Sequence, residues 1–393
     1  MRIEGDFIQI NEWLTPLSWL YGLGVGIRNQ LFELGILRQQ SFDVPVISVG
    51  NITVGGSGKT PHVEYLIRLL QDTSKVAVLS RGYKRKSHGY QLANDSSTMH
   101  TIGDEPYQMK QKFPSIHVAV DGNRCRGIRH IINDNATNDT DVILLDDAFQ
   151  HRYVKPGINI LLVDYHRLII YDKLLPAGRL REPLSGKDRA DIVIITKCPK
   201  DLKPMEFRVL SKAMNLYPYQ SLYFTTLEYA NARQLFGEKE LQLQELRGRQ
   251  LMLLTGIASP KQIIVDMTQE MNINKKNITM MTFADHHQFS SKDVTNINNT
   301  FETMPEGSLI VTTEKDATRL KHLQGLSQKV KENLYTLPIK VKFMEEKQEE
   351  IFNNKIKDYV RKNSRNSILV KRKDDNKSKD CDHLGNGSRT ISF

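Results

Sequence analysis

The stretch VISVGNITVGGSGKTPHVEYLIRLLQ, residues 46–71, constrains this chain more than any other. An apolar run at 45–49 reads as a buried strand. A glycine-rich loop follows, and then Val63, Leu66, Ile67 and Leu70 recur at helical spacing. Between strand and helix, Thr53-Val54-Gly55-Gly56-Ser57-Gly58-Lys59-Thr60 fits the phosphate-binding pattern G-x-x-x-x-G-K-[ST], with Thr53 standing at its first glycine. Glycines let successive backbone N–H groups converge on phosphate oxygens, and the helix N-terminus adds partial positive charge. Lys59 is therefore expected to reach the β- and γ-phosphates of a nucleotide, and the Thr60 hydroxyl to ligate magnesium. Pro61 falls in the first helical turn, where its missing donor costs little. The motif leaves open what receives the phosphate.

Short apolar runs at 44–49, 75–79, 117–120, 142–145, 158–163 and 192–196 are mostly continuous rather than alternating, as in strands covered on both faces. Helical patterns or turn residues lie between them. The chain thus reads as α/β, a P-loop NTPase-like parallel sheet covered by helices. A second series at 221–227, 251–255, 278–283, 309–313 and 335–343 predicts a smaller α/β lobe. Its first and last members are candidates for a two-stranded connection to the larger one. The division expected is an N-terminal segment at 1–40, the P-loop domain at 41–222, the smaller lobe at 223–350 and a basic tail at 363–393. That tail is too poor in apolar residues to offset the entropy of ordering.

The formal net charge of +10 over 393 residues favours anionic partners. The basic residues are dispersed and, outside the tail, not interleaved with aromatics, so no nucleic-acid surface is expected. Cys125, Cys198 and Cys381 lie far apart with no C-x-x-C pair, which argues against a disulfide framework or zinc site and for a reducing compartment. Glu4 and Asp6 sit where a cleavable signal would be positive. The uncharged run at 13–27 is fifteen residues long, short of the roughly 20 that a spanning helix requires. Trp13, Trp19 and Tyr21 are of the type that settles at lipid headgroups, while Arg28, Gln30 and Glu33 interrupt the apolar face. Two readings stand: a helical hairpin packed on the core, or a helix lying in a membrane interface.

Downstream, DVILLDDAFQHR places Asp146 and Asp147 at the end of an apolar strand, where a P-loop fold keeps a carboxylate that holds magnesium directly or through water. A guanine-nucleotide switch is disfavoured. Its base-reading Asn/Thr-Lys-x-Asp would fall on IITKCPK, where Pro199 replaces the aspartate, and Asp146 begins no Asp-x-x-Gly segment. Other polar clusters follow apolar strands: Arg81, Lys84, Arg85 and Lys86; Asp104 and Glu105; Asp121 and Arg124; Arg179, Arg181 and Glu182; Asp285, His286 and His287. Sites in α/β sheets lie at the carboxyl ends of strands, so these clusters are candidates for chemistry.

Taken together and in this order, SVGNITVGGSGKTP, SRGYKR, GDEP, DDAFQHR, LLPAGRLREPLS, DHHQF and TTEKDATRL closely resemble the tetraacyldisaccharide 4'-kinase family of lipid A biosynthesis. The resemblance runs from about Trp13 to Phe343. It departs at Ala148, where the family usually has glycine; both preceding carboxylates are kept. The resemblance implies a two-lobed P-loop protein with an N-terminal membrane-associating helix. It also implies ATP, Mg2+ and transfer of the γ-phosphoryl group to the 4'-hydroxyl of a tetraacylated glucosamine disaccharide 1-phosphate. The partners would be this anionic glycolipid and the cytoplasmic face of the bacterial inner membrane; no nucleic acid is implied and no protein partner can be deduced. The family's Asp–His pair falls on Asp104, as acceptor of the hydroxyl proton, and His286, which tunes or relays it. His287 is the alternative partner. Lys59 would neutralise the phosphates, and Thr60 with Asp146 or Asp147 would hold the metal. Arg124, Gln150, His151, Arg181 and Glu182 are candidates for substrate or nucleotide contacts. Two rivals are a nucleic-acid-stimulated ATPase, whose turnover would rise with added DNA or RNA, and a nucleotide-regulated membrane scaffold, which would not need Asp104 or His286.

Overall fold

The structure is a computed structural model that describes residues 10–364 apart from 258, 259, 285, 286 and 288. His286, its neighbour Asp285 and the tail from residue 365 lie outside the described residues. From the N-terminus, α1 (Thr15–Glu33) precedes β1 (Val46–Gly50), α2 (Lys59–Leu70), β2 (Val76–Ser80) and the short β3 (Gln91–Leu92). Then come α3 (Met99–Ile102), α4 (Asp104–Lys112), β4 (His117–Val120), α5 (Arg124–Asn133), β5 (Val142–Asp146), β6 (Ile158–Asp164) and β7 (Ile192–Thr196). After α6 (Pro204–Met214) follow β8 (Ser221–Tyr229), β9 (Ala232–Gln234), β10 (Glu240–Leu241), β11 (Leu251–Thr255), α7 (Pro260–Gln269) and β12 (Ile278–Thr282). The chain ends its described part with α8 (Ser291–Glu302), β13 (Leu309–Thr313), α9 (Glu314–Leu320), α10 (Gln328–Asn333), β14 (Leu334–Leu337), β15 (Ile339–Phe343) and α11 (Glu346–Asn363).

Nine strands form one sheet in the order β15-β8-β7-β6-β1-β5-β2-β4-β3, parallel except where the two edge strands join. Strands β1, β2, β5 and β7 are buried at every position, which is why their sequences read as unbroken apolar runs. Alternate residues feed opposite faces. Ile47, Val49, Val142 and Leu144 pack under α2 and α11, whereas Val46, Ile143 and Leu145 pack against Ile128 and Ile131 of α5. The chain moves from β1 towards β2 on one side and reaches β6 on the other, so β1 lies at the point where the strand order reverses. Ligands of open α/β sheets bind outside the carboxyl ends of strands at such a point. The P-loop leaves β1 there.

Six strands form the second sheet, β10-β9-β14-β13-β11-β12. The chain enters it after Tyr229 and returns at Ile339, and these two residues pair directly in the antiparallel β8–β15 ladder. The single strand read at 335–343 is therefore two strands in two sheets, separated by Pro338, which has no N–H to give a ladder. The anticipated boundary at 222/223 falls inside β8, a strand of the larger sheet. The anticipated end at 350 falls inside α11, whose Phe352, Ile356 and Val360 pack into the core of the larger lobe.

Among its described residues the N-terminal segment holds one long helix rather than a packed hairpin. In α1 only Ser18 and Phe32 are buried, while Trp19 is 73% and Leu20 67% exposed, and Trp13 just before it is 93% exposed. Among the described residues no helix is long and apolar enough to cross a membrane.

Candidate active site

The P-loop is shaped by two glycines that only glycine suits. Gly55 has φ 125° and Gly58 φ 80°, both in the left-handed region. The start of the loop is stitched to the segment LLPAGRLREPLS: Val54 N donates to Arg179 O (2.8 Å), Arg181 N donates to Ile52 O (2.7 Å), and Thr53 forms a β-bridge with Leu180. Its far side is held by the end of β7, where Thr196 Oγ1 donates to Ser57 O at 3.0 Å and Lys197 Nζ to Gly56 O. One turn into α2, His62 links Gly58 O (2.7 Å) to Thr225 Oγ1 of β8 (3.0 Å). Burial lowers this imidazole's pKa to about 4, so it is neutral at physiological pH. Ser57 Oγ is buried in the loop with no hydrogen-bond partner among the described residues. A rigid, donor-rich loop with a spare hydroxyl fits a polyphosphate.

Beside the loop, β5 ends in two carboxylates with different environments. Asp146 is buried, and its Oδ2 accepts from Ser80 Oγ of β2 at 3.2 Å. Burial, reinforced by Glu105 and Asp147, pushes the Asp146 carboxyl up to about 7 against the pull of Lys59 and Arg124. Asp147 takes a left-handed backbone (φ 47°), and its Oδ1 lies 3.7 Å from Lys59 Nζ and 3.5 Å from Arg181 Nη1. Neither Asp146 Oδ1 nor Asp147 Oδ1 receives a hydrogen bond among the described residues. Two carboxylates with a donorless oxygen each, one of them 3.7 Å from the lysine that precedes Thr60 in the chain, are of the hard-oxygen type that Mg2+ takes together with phosphates and water. No cluster of three His, Cys, Asp or Glu side chains suited to a metal occurs among the described residues, so an all-protein cage is not formed there.

The other residues singled out from the sequence divide into two groups. Gln150, Arg181 and Glu182 come together at the start of the P-loop. Gln150 Nε2 donates to Asn51 O (2.5 Å) and Glu182 Oε1 (3.1 Å), and Gln150 Oε1 accepts from Arg181 (3.4 Å). Arg189 closes the set on Glu182 Oε2 at 2.8 Å. Arg124 instead clamps the backbone: it donates to the carbonyls of Asp121 (3.1 Å), Asp146 (3.2 Å) and Asp147 (3.4 Å). Burial lowers its pKa to about 10. His151 keeps a buried Nε2 without a partner among the described residues. Burial, followed by Arg124 and Arg28, lowers its pKa to about 4.

Asp104 opens α4 directly after Gly103, whose backbone lies against Gly82 and Tyr83 at the exit of β2. Its carboxylate forms an ion pair with Arg319 of α9, in the smaller lobe. Of the two candidate histidines, His286 lies outside the described residues, while His287 donates from Nε2 to Asp293 Oδ2 (3.0 Å) and stacks on Phe283. Sequence reasoning missed Arg319, although TTEKDATRL had been noted as a motif. It also missed the part that α1 plays: Tyr21 Oη donates to Arg181 O (2.7 Å) and Arg28 Nη2 to Gln150 O (3.1 Å). The signal for Arg28 was a charge within an otherwise apolar helix.

A P-loop at the switch point of a parallel sheet, with Lys59 facing paired carboxylates at the next strand, defines a nucleotide-dependent phosphotransfer protein. The family model described as Tetraacyldisaccharide-1-P 4'-kinase matches residues 10–357. Tetraacyldisaccharide 4'-kinase of Phocaeicola vulgatus is 57% identical over 368 residues, covering 93% of this chain and 99% of that protein. The protein of the same description from Flavobacterium johnsoniae is 45% identical over 355 residues, covering 90% and 98%. A crystal structure of LpxK from Aquifex aeolicus in complex with ATP superposes with a TM-score of 0.69 at 31% identity, covering 88% of this chain and 99% of that one. The chain belongs to the tetraacyldisaccharide-1-P 4'-kinase family and is a kinase.

Proposed function

We infer that this chain transfers the γ-phosphoryl group of ATP to the 4'-hydroxyl of a tetraacylated glucosamine disaccharide 1-phosphate, a step of lipid A biosynthesis. The observation that carries the reading is the placement of Lys59 opposite Asp146 and Asp147 at the end of a glycine loop that fits a polyphosphate. Phosphoryl transfer through a loose transition state asks chiefly for alignment and charge neutralisation, and this part of the site is built for both.

In the proposed reaction the P-loop amides and Lys59 hold the phosphates. Thr60, Asp146 and Asp147 are the residues that would hold magnesium, which when bound neutralises phosphate charge. Asp104 accepts the 4'-hydroxyl proton as the sugar oxygen bonds to phosphorus; the bond from phosphorus to the bridging oxygen breaks, and ADP leaves. His286 tunes or relays that proton; the commitment of His287 to Asp293 favours His286 for this role. Arg181 and His151 are assigned to substrate or nucleotide, while Arg124, Gln150 and Glu182 keep the strand ends and the P-loop in register through the contacts described above.

The acceptor is an anionic glycolipid, and α1 is assigned to the interface of the cytoplasmic face of the inner membrane. The exposed Trp19, Leu20 and Leu23 of α1, with Trp13 just before it, support that reading, since an exposed apolar face of this size marks an interaction surface. The deciding experiment incubates the protein with labelled ATP, Mg2+ and the disaccharide 1-phosphate and follows label into the organic phase. Label confined to inorganic phosphate, or ATP turnover that needs added nucleic acid, sinks the assignment.

A further inference from the structure

We propose that Arg319 of the smaller lobe is a positioning residue that aligns the Asp104 carboxylate for proton acceptance, so that turnover depends on how the two lobes meet. The proposal rests on the reading of Asp104 as the base. The ion pair it starts from is well sheltered: the side chain of Arg319 is 6% exposed and that of Asp104 22%.

The guanidinium is itself held from behind. Arg319 Nη1 lies 3.4 Å from Asp316 Oδ1, and Asp316 is buried. Asp316 Oδ2 accepts from Thr255 Oγ1 (3.1 Å), Gly256 N (3.0 Å) and Thr313 Oγ1 (2.8 Å), which ties together the carboxyl ends of β11 and β13. Arg319 is therefore presented by the framework of its lobe rather than by a loop. On the opposite side, α4 meets the α9 region along its length. Tyr107 Oη pairs with His322 Nε2 at 2.7 Å, and Lys112 Nζ bridges Glu314 (2.5 Å) and the buried Glu64 of α2 (2.6 Å). Asp104, Tyr107 and Lys112 are successive contacts of one helix. The seam thus fixes the carboxylate of Asp104 relative to the helix that starts at Lys59.

An adjacent guanidinium has two consequences for a base. It restricts the carboxylate to one orientation, and misplacement of a catalytic group by about 1 Å can cost roughly 100-fold in rate. It also favours the ionised form, so the base stays available at lower pH. The competing role for an arginine here is direct contact with the transferred phosphoryl group, and the two roles separate in a double-mutant cycle.

The experiment measures kcat, both KM values and the pH profile of the full chain with ATP, Mg2+ and detergent-dispersed disaccharide 1-phosphate. Arg319→Ala is expected to lower kcat about 10- to 100-fold, with both KM values within about threefold, and to move the acidic limb of the profile to higher pH. Arg319→Lys, which restores the charge, recovers part of the rate and the position of that limb. In an Asp104→Asn background the same Arg319→Ala change costs less than about twofold, because the group it acts through is gone. If the alanine variant does not fold, Arg319→Gln serves, with the same limb shift expected. An unchanged kcat and profile overturns the proposal, as does a loss in the Asp104→Asn background as large as in the wild type. Wild-type turnover in Asp104→Asn alone removes the base, a failure separate from that of Arg319.

Discussion

Lys59 Nζ and Asp147 Oδ1 stand 3.7 Å apart at the first turn of α2, with Arg181 Nη1 3.5 Å from the same oxygen. Asp147 reaches this place through a left-handed backbone that a non-glycine residue rarely adopts. The strand thus ends by turning its second carboxylate onto the P-loop lysine. Strain at such a position points to function when a site surrounds it.

In the proposed reaction the lysine is the positive charge that the cradle places on the phosphates. Lys59→Ala is expected to lower turnover by about 100-fold or more, the scale seen when one charge-stabilising donor is removed from a preorganised site. Turnover at saturating ATP and Mg2+, with the fold checked by circular dichroism, tests this; an intact rate removes the P-loop from the reaction.

Gly103 is expected to be as sensitive as a catalytic residue without touching substrate. Its backbone (φ 93°, ψ 160°) is a conformation essentially reserved for glycine, and an added Cβ would meet Tyr83 O at 3.0 Å. Gly103→Ala should destabilise the protein by about 1–3 kcal/mol and slow turnover by displacing Asp104, while ATP affinity stays near that of the wild type. Urea unfolding and nucleotide titration on the same variant separate the two effects.

His62 predicts how stability depends on pH. Its folded pKa of about 4 lies below the ordinary 6.5 because burial disfavours the charged form. Between those values the unfolded chain binds a proton that the folded chain does not, so stability is full above pH 6.5 and falls as pH drops towards 4. The shift corresponds to a loss on the order of 3 kcal/mol across the window. His151, depressed to about 4 by burial and nearby arginines, acts in the same direction. Unfolding midpoints measured from pH 4 to 7 should slope less in His62→Gln than in the wild type; equal slopes refute the assignment.

The parts legible in the sequence were those whose physics is local. Val46–Gly50 and Val142–Asp146 announced buried parallel strands because both faces need apolar residues, and the P-loop announced itself through glycines at fixed spacing. What escaped was set by packing between distant segments. Phe352, Ile356 and Val360 carry a helical stripe that only the far sheet explains, since α11 crosses back to the larger lobe. Pro338 lies inside the run read as one strand at 335–343 and is the junction of two sheets. Arg319 lies 215 residues from Asp104 in the chain, and no spacing rule joins them.

On the proposed reading α1 has two separable duties, one at a lipid surface and one at the site, and a single deletion would confuse them. Its outer face carries Trp19, Leu20 and Leu23, all largely exposed. Its inner face reaches the site, through Tyr21 to Arg181 O and Arg28 to Gln150 O. Changing Trp19, Leu20 and Leu23 to glutamine should leave the fold intact, because exposed apolar side chains contribute little to it, and should weaken binding to vesicles of anionic lipid in a flotation assay. Turnover on detergent-dispersed acceptor should change by less than about threefold, since in the proposed reading the burial of these side chains, about 1.5–3 kcal/mol each, would serve the bilayer contact rather than the reaction. Arg28→Ala should do the reverse, keeping vesicle binding and lowering turnover in detergent as Gln150 loses its anchor. Vesicle binding unchanged by the triple substitution removes the interface from α1, and turnover unchanged by Arg28→Ala removes the helix from the site.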